Sequence, residues 1–167
     1  MIDPQIPDPI KLREIEAVVF DFDGVFTDDR VIVSETGEES VICNRRDGMG
    51  TTLLKHIGIK MLIISKETNK VVGARGRKLG IEVIQGCDEK LPALKLWLKT
   101  NNLQPANTAY IGNDINDIEC LNYVKLAVIP ADAHPDVFPH ATWVLSHSGG
   151  RGAIREFADG IVKARQK

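Results

Sequence analysis

Six short apolar runs, separated by helical patterns, constrain this chain more than any other feature. "AVVF" (17–20), "KMLIIS" (60–65), "IEVI" (81–84), "TAYI" (108–111), "KLAVI" (125–129) and "TWVL" (142–145) read as strands. They are apolar almost without alternation, as expected of a parallel sheet with helices on both faces. "GMGTTLLKHIG", "TNKVVGARGRKLG", "KLPALKLWLKTNN" and "NDIECLNYV" predict those helices, and "RGAIREFADGIVKARQK" at 151–167 predicts one more. That order defines an α/β fold, a Rossmann-like parallel sheet flanked by helices. "RVIVSETGEESVICN" (30–44) breaks the pattern and reads as a β-hairpin inserted after the first strand. The 167 residues are enough to bury a real core, and a single domain over 1–167 is expected.

Charge and composition narrow the partners. The net charge is −2 with no long basic run, which argues against nucleic acid and against an anionic membrane surface. No apolar stretch approaches the roughly 18 residues of a membrane span. Three cysteines (Cys43, Cys87, Cys120) form no CxxC pair, and "MIDPQIPDPIKLREIE" is acidic and proline-punctuated, unlike a signal peptide. A cytoplasmic setting is expected.

Parallel sheets bind ligands at the carboxyl ends of their strands. After the first strand stand Asp21 and Asp23, sharing one side by strand alternation, while Phe22 points the other way. Gly24 then lets the chain turn. Carboxylates held this close repel, and a hard divalent cation such as Mg²⁺ relieves them. A bare Asp-x-Asp-Gly also fits a solvated turn, so the other strand ends must decide. After "MLII" comes Ser65, a hydroxyl at the mouth of a helix. Past "IEVI" lies Lys90, a point charge suited to a phosphoryl group. After "TAYI", "GNDINDIE" places Asn113, Asp114 and Asp117 on a strand-to-helix loop. Each alone has a bland account: a cap, a surface lysine, a first-turn acid. In sequence order they supply a nucleophile, a second carboxylate, a hydroxyl, a cation and a metal cup, the inventory for phosphoryl transfer through an aspartyl-phosphate.

"DFDGVFTD", "IISKE", Lys90 and "GNDIND" resemble the four motifs of the haloacid dehalogenase superfamily, and the resemblance spans about residues 15 to 160. "DGVFTD", the hairpin, "RRDGMG" (45–50) and "GGRGAIREF" (149–157) narrow it to a cap-less branch. That branch holds 3-deoxy-D-manno-octulosonate 8-phosphate phosphatases, 2-keto-3-deoxynononate 9-phosphate phosphatases and C-terminal domains of some acylneuraminate cytidylyltransferases. The resemblance implies a Mg²⁺-dependent phosphatase with Asp21 as nucleophile and Asp23 as general acid and then base. It implies Mg²⁺ between Asp21, Asp23 and the fourth motif, with Ser65, Lys90 and Gly24 on the phosphate and Asp117 behind the metal. The family's fourth motif usually starts Gly-Asp. Here Asn113 fills that place and Asp114 follows, so either is the expected ligand.

Thr27, Arg46, Glu67, Lys78 and Arg151 are the expected substrate contacts, with Arg155 beside them, since a forked guanidinium suits a 2-keto acid. Glu67 and Lys78 stand eleven residues apart, close to three helical turns, which would put both on one side of a helix that starts early. "SKETN" and "GND" resemble the nononate and acylneuraminate side, so a nine-carbon sugar acid phosphate is the expected substrate. The alternatives are 3-deoxy-D-manno-octulosonate 8-phosphate and a non-catalytic oligomerisation module. The branch also implies a homotetramer in which the hairpin, with Val31, Ile32, Val33, Val41 and Ile42, helps close a neighbour's site.

Overall fold

Each predicted strand forms. The computed structural model describes residues 7–166 and contains β1 (Ala17–Phe20), β2 (Ile32–Val33), β3 (Glu39–Ser40), β4 (Lys60–Ile64), β5 (Glu82–Ile84), β6 (Thr108–Ile111), β7 (Leu126–Ile129) and β8 (Trp143–Val144). Six of them build one sheet in the order β5-β4-β1-β6-β7-β8, every pairing parallel. Alternate residues of these strands face opposite cores, which is why their sequences are apolar throughout. Val18, Phe20, Ile63 and Val128 pack on one side with α1 (Pro9–Arg13), α2 (Arg45–His56), α3 (Lys70–Leu79) and α6 (Ala153–Arg165). Val19, Leu62, Ile64 and Tyr110 pack on the other with α4 (Lys90–Thr100) and α5 (Ile118–Tyr123).

Helix boundaries shift where caps decide them. α2 starts three residues before its apolar pattern because Asn44 caps it, its side chain accepting the Arg46 amide at 2.7 Å. α3 starts at Lys70 because Asn69 accepts the Val71 amide at 3.1 Å. The fourth helical stretch divides into a 3-10 turn at Ile115–Asp117 and the short α5. Helix α1 was not foreseen. Asp8 caps it and Leu12 carries it into the core. The first six residues of the proline-punctuated segment, and Lys167 of the predicted tail helix, lie outside the described residues.

The inserted hairpin is present but short. Its ladder is only Ile32 opposite Ser40 and Val33 opposite Glu39, with an isolated bridge from Thr27 to Cys43 at its base. Nothing among the described residues covers it: Ile32 is 60% and Ile42 60% exposed. The sheet places β1 at its centre, with β4 and β5 on one side and the later strands on the other. The crevice beside β1 is therefore where the winding reverses.

Candidate active site

Asp21 is the first residue beyond β1, and its amide continues the ladder to the Ile111 carbonyl at 2.8 Å. The alternation expected from the sequence holds. Phe22 is fully buried and stacks on Phe26 with ring centroids 5.7 Å apart, while Asp21 and Asp23 line a cleft of about 360 Å³. Gly24 has φ +72°, and a Cβ there would overlap the Asn113 amide, so only glycine serves. Its N–H is committed to Thr27 Oγ1 at 3.2 Å, and the same oxygen accepts the Asp29 amide at 3.3 Å. Two expectations are thereby corrected: Gly24 shapes the catalytic turn and does not offer its amide to phosphate, and the fully buried Thr27 staples that turn and does not face substrate.

Lys90 opens α4 with its side chain 2% exposed, so the long stem is buried and the ammonium must find anions. It finds two: Nζ is 2.8 Å from Asp21 Oδ1 and 2.8 Å from Asp117 Oδ1. Asp117 is fully buried and satisfied on both oxygens. Tyr110 Oη donates to Oδ1 at 2.7 Å, and the amides of Asn113 and Asp114 donate to Oδ2 at 3.0 and 3.3 Å. Asp117 thus fixes the loop that carries its neighbours and stands behind the cleft. Ser65 is 1% exposed, and its Oγ accepts the Glu67 amide at 3.1 Å, leaving the hydroxyl proton to donate into the cleft. Four residues separate it from α3, so it is not at a helix mouth; Asn69 holds that place.

The cleft is lined by Asp21, Asp23, Asp29, Glu67 and Asp114, and among the described residues Lys66 is the only cation in that lining. Burial pushes the Asp21 carboxyl up to about 8; nearby Asp117 adds to this and Lys90 opposes it. Asp23 is raised too, first by burial, then by the charges of Glu67 and Asp29. A carboxyl held up in this way can keep a proton to donate. The surplus of carboxylates repels a phosphate unless a cation joins them. Asn113 Oδ1 fits that role: it is buried at the cleft with no hydrogen-bond partner, an acceptor of the hard-oxygen kind that Mg²⁺ prefers. Asp114 is exposed, lines the cleft and caps the following turn through Ile115 N at 2.7 Å. Among the described residues no group of three or more His, Cys, Asp or Glu could hold a metal. A cation here therefore depends on the Asn113 amide oxygen and main-chain oxygen as well as carboxylates.

The expected substrate contacts fare unevenly. Glu67 lines the cleft, its Oε1 accepting the amides of Thr68 at 2.7 Å and Asn69 at 3.0 Å. Lys78 does not. The helix begins only at Lys70, so Glu67 is outside it, and Lys78 sits exposed in the last turn, at the end of α3 that leads toward the start of β5. Arg46 and Arg155 line a separate groove with Trp143 and Lys163, and the Arg155 guanidinium is held by Asp159 at 2.8 Å. Arg151 reaches Asp28 Oδ2 at 3.3 Å and so braces the turn into the hairpin. Asp29 was overlooked; it reads as a turn residue, and its φ of +63° shows that it is one, yet it also lines the cleft. Tyr110 was overlooked as well, although a lone hydroxyl in an apolar strand is the available signal.

The fold agrees with the comparisons to known proteins. The haloacid dehalogenase-like hydrolase family matches residues 55–157. The curated 3-deoxy-D-manno-octulosonate 8-phosphate phosphatase of Yersinia pestis is 39% identical over 158 residues, covering 94% of this chain and 84% of that protein. Its crystal structure superposes with a TM-score of 0.92 at 38% identity, covering 95% and 86% of the two chains. A HAD family hydrolase from Streptomyces avermitilis superposes with a TM-score of 0.89 at 44% identity, covering 95% and 90%. The Moraxella catarrhalis 3-deoxy-D-manno-octulosonate 8-phosphate phosphatase, in complex with magnesium ion, phosphate ion and KDO, gives 0.91 at 30% identity over 95% and 91%. This chain belongs to the haloacid dehalogenase-like hydrolases. Within them it falls in the cap-less branch that contains the octulosonate phosphatases, and it is a phosphoric monoester hydrolase. The comparisons favour the eight-carbon substrate over the nine-carbon one expected from "SKETN" and "GND".

Proposed function

We propose that this protein hydrolyses 3-deoxy-D-manno-octulosonate 8-phosphate in the presence of Mg²⁺. The observation that carries the reading is the pairing of Asp21 with Lys90 beside the unpartnered Asn113 Oδ1, at the crevice where the sheet reverses. It is supported by the Yersinia pestis relative over 94% of the chain. Asp21 attacks phosphorus and the bond to the sugar oxygen breaks. Asp23 gives its proton to that oxygen, then takes one from the water that attacks the aspartyl-phosphate, releasing inorganic phosphate and restoring Asp21. Ser65 donates to a phosphate oxygen, and Lys90 steadies the nucleophile through its ion pair. Asp21, Asn113, Asp114 and the Asp23 main chain would hold the cation, whose charge offsets the phosphate among so many carboxylates. Lys66 suits the carboxylate of the sugar acid.

Copies of the chain assemble as a homotetramer through the hairpin in this reading, since Val31, Ile32, Val33 and Ile42 are each at least half exposed. No described helix is long and apolar enough to cross a membrane, and the three cysteines are free, which suits the cytoplasm. The deciding experiment measures phosphate release from 3-deoxy-D-manno-octulosonate 8-phosphate and 2-keto-3-deoxynononate 9-phosphate side by side. A higher kcat/KM on the eight-carbon ester supports the proposal, and preference for the nine-carbon ester overturns it.

A further inference from the structure

Two sequence motifs, "RRDGMG" and "GGRGAIREF", play no direct part in the chemistry above, yet the fold joins them. Asp47, in the first turn of α2, is fully buried. Its Oδ2 accepts the Gly152 amide at 3.2 Å and its Oδ1 the Arg155 amide at 3.0 Å. These belong to the start of α6, where Gly152 offers no side chain of its own as a cap. Asp47 therefore caps α6 from another helix, meeting the positive end of its dipole. Gly50 lets the two helices approach, since a Cβ there would press on the Arg155 backbone at 2.9 Å.

The segment before α6 is fixed to that helix and also to the catalytic turn. Glu156 accepts the Ser146 and His147 amides, each at 3.0 Å. Gly149 donates to Asp132 Oδ1 at 2.9 Å and lies so close to Gly24 that a Cβ would overlap the Gly24 carbonyl. Gly150 donates to the Val25 carbonyl at 2.9 Å. Gly24 and Val25 follow Asp23 directly in the turn that aims the proposed general acid.

We propose that Asp47 is a positioning residue for the catalytic turn, acting through the start of α6 and the Gly149–Gly150 strut. The effect on turnover rests on the phosphatase reading; the structural link does not. Small misplacements of reacting groups cost rate far more than they cost binding. Asp47→Asn keeps the shape but weakens the cap, and Asp132→Ala removes the acceptor of Gly149 at an exposed position where folding is safe. Both should lower kcat for p-nitrophenyl phosphate by about tenfold or more with KM within about twofold. Hydrogen exchange followed by mass spectrometry should show residues 21–27 exchanging faster in both. Ile161→Val, buried further along the same helix, should loosen α6 while leaving kcat and that segment unchanged. Wild-type exchange at 21–27 in Asp47→Asn and Asp132→Ala overturns the proposal. So does a kcat loss matched by Ile161→Val. If the wild-type protein released no phosphate from any ester, the phosphatase reading would fail while the exchange measurement still decided the link.

Discussion

Lys90 Nζ and Asp21 Oδ1 lie 2.8 Å apart with both side chains at least nine-tenths buried. Asp117 shares the same ammonium at 2.8 Å, so one cation holds two buried carboxylates in place. Removing it leaves the buried Asp21 carboxyl without its partner and takes one donor from Asp117, and breaking such a buried pair costs about 3–5 kcal/mol. Lys90→Met should therefore lose that much stability in urea denaturation and release no measurable phosphate. A Lys90→Met protein of wild-type stability would show that the ammonium does not hold the two carboxyl groups together.

Asp21→Asn should abolish turnover, because an amide is no nucleophile toward phosphorus. It should also change how stability depends on pH. The folded Asp21 carboxyl titrates near 8 against an ordinary value of 3.8, with burial as the first cause. Between those values the folded protein binds more protons than the unfolded chain, so wild-type stability falls as pH rises through the window. The variant lacks this loss. Its stability advantage, measured without metal by urea denaturation, should widen from pH 4 to pH 8 by on the order of a few kcal/mol. A constant difference across that range would contradict the raised carboxyl.

Asn113→Ala removes the buried acceptor that has no partner in the protein. Titration calorimetry should show Mg²⁺ binding weakened about tenfold or more, equivalent to roughly 1.4 kcal/mol, since one oxygen ligand is lost. The unfolding midpoint without metal should stay near wild type. Chelation with EDTA should silence the unmodified enzyme and added Mg²⁺ restore it.

Tyr110→Phe deletes the hydroxyl that donates to Asp117 Oδ1 at 2.7 Å. The hydrogen bond is buried and reaches a carboxylate, so the loss should be about 1.5–3 kcal/mol by denaturation. Lys90 still holds the same oxygen, and activity at low temperature should survive in part.

Glu67 and Lys78 now separate. Glu67→Ala should lower kcat/KM for the sugar acid phosphate, because Glu67 lines the cleft and its carboxylate shapes the 67–69 turn. Lys78→Ala should leave every kinetic constant unchanged, since Lys78 is exposed and is not among the residues lining the cleft. Steady-state assays on both variants check the contrast.

By itself the sequence determined the architecture and which polar side chains stand at the strand ends. Period-2 and period-3.6 patterns are local, and a strand buried on both faces must be apolar throughout, so β1, β4, β6 and β7 were legible almost to the residue. Asp21, Asp23, Ser65, Lys90 and Asn113 were legible because the carboxyl ends of parallel strands must converge. What each group touches was decided only by the tertiary structure. The start of α3 depends on the Asn69 cap, and that one boundary removed Lys78 from the site. Gly24 and Thr27 satisfy each other within a turn whose hydrogen bonds no pattern of residue types specifies. Asp47 meets the start of α6 across more than a hundred residues of chain. Such pairings are fixed by how helices pack on the sheet. Packing is a property of the assembled core, and no local window contains it.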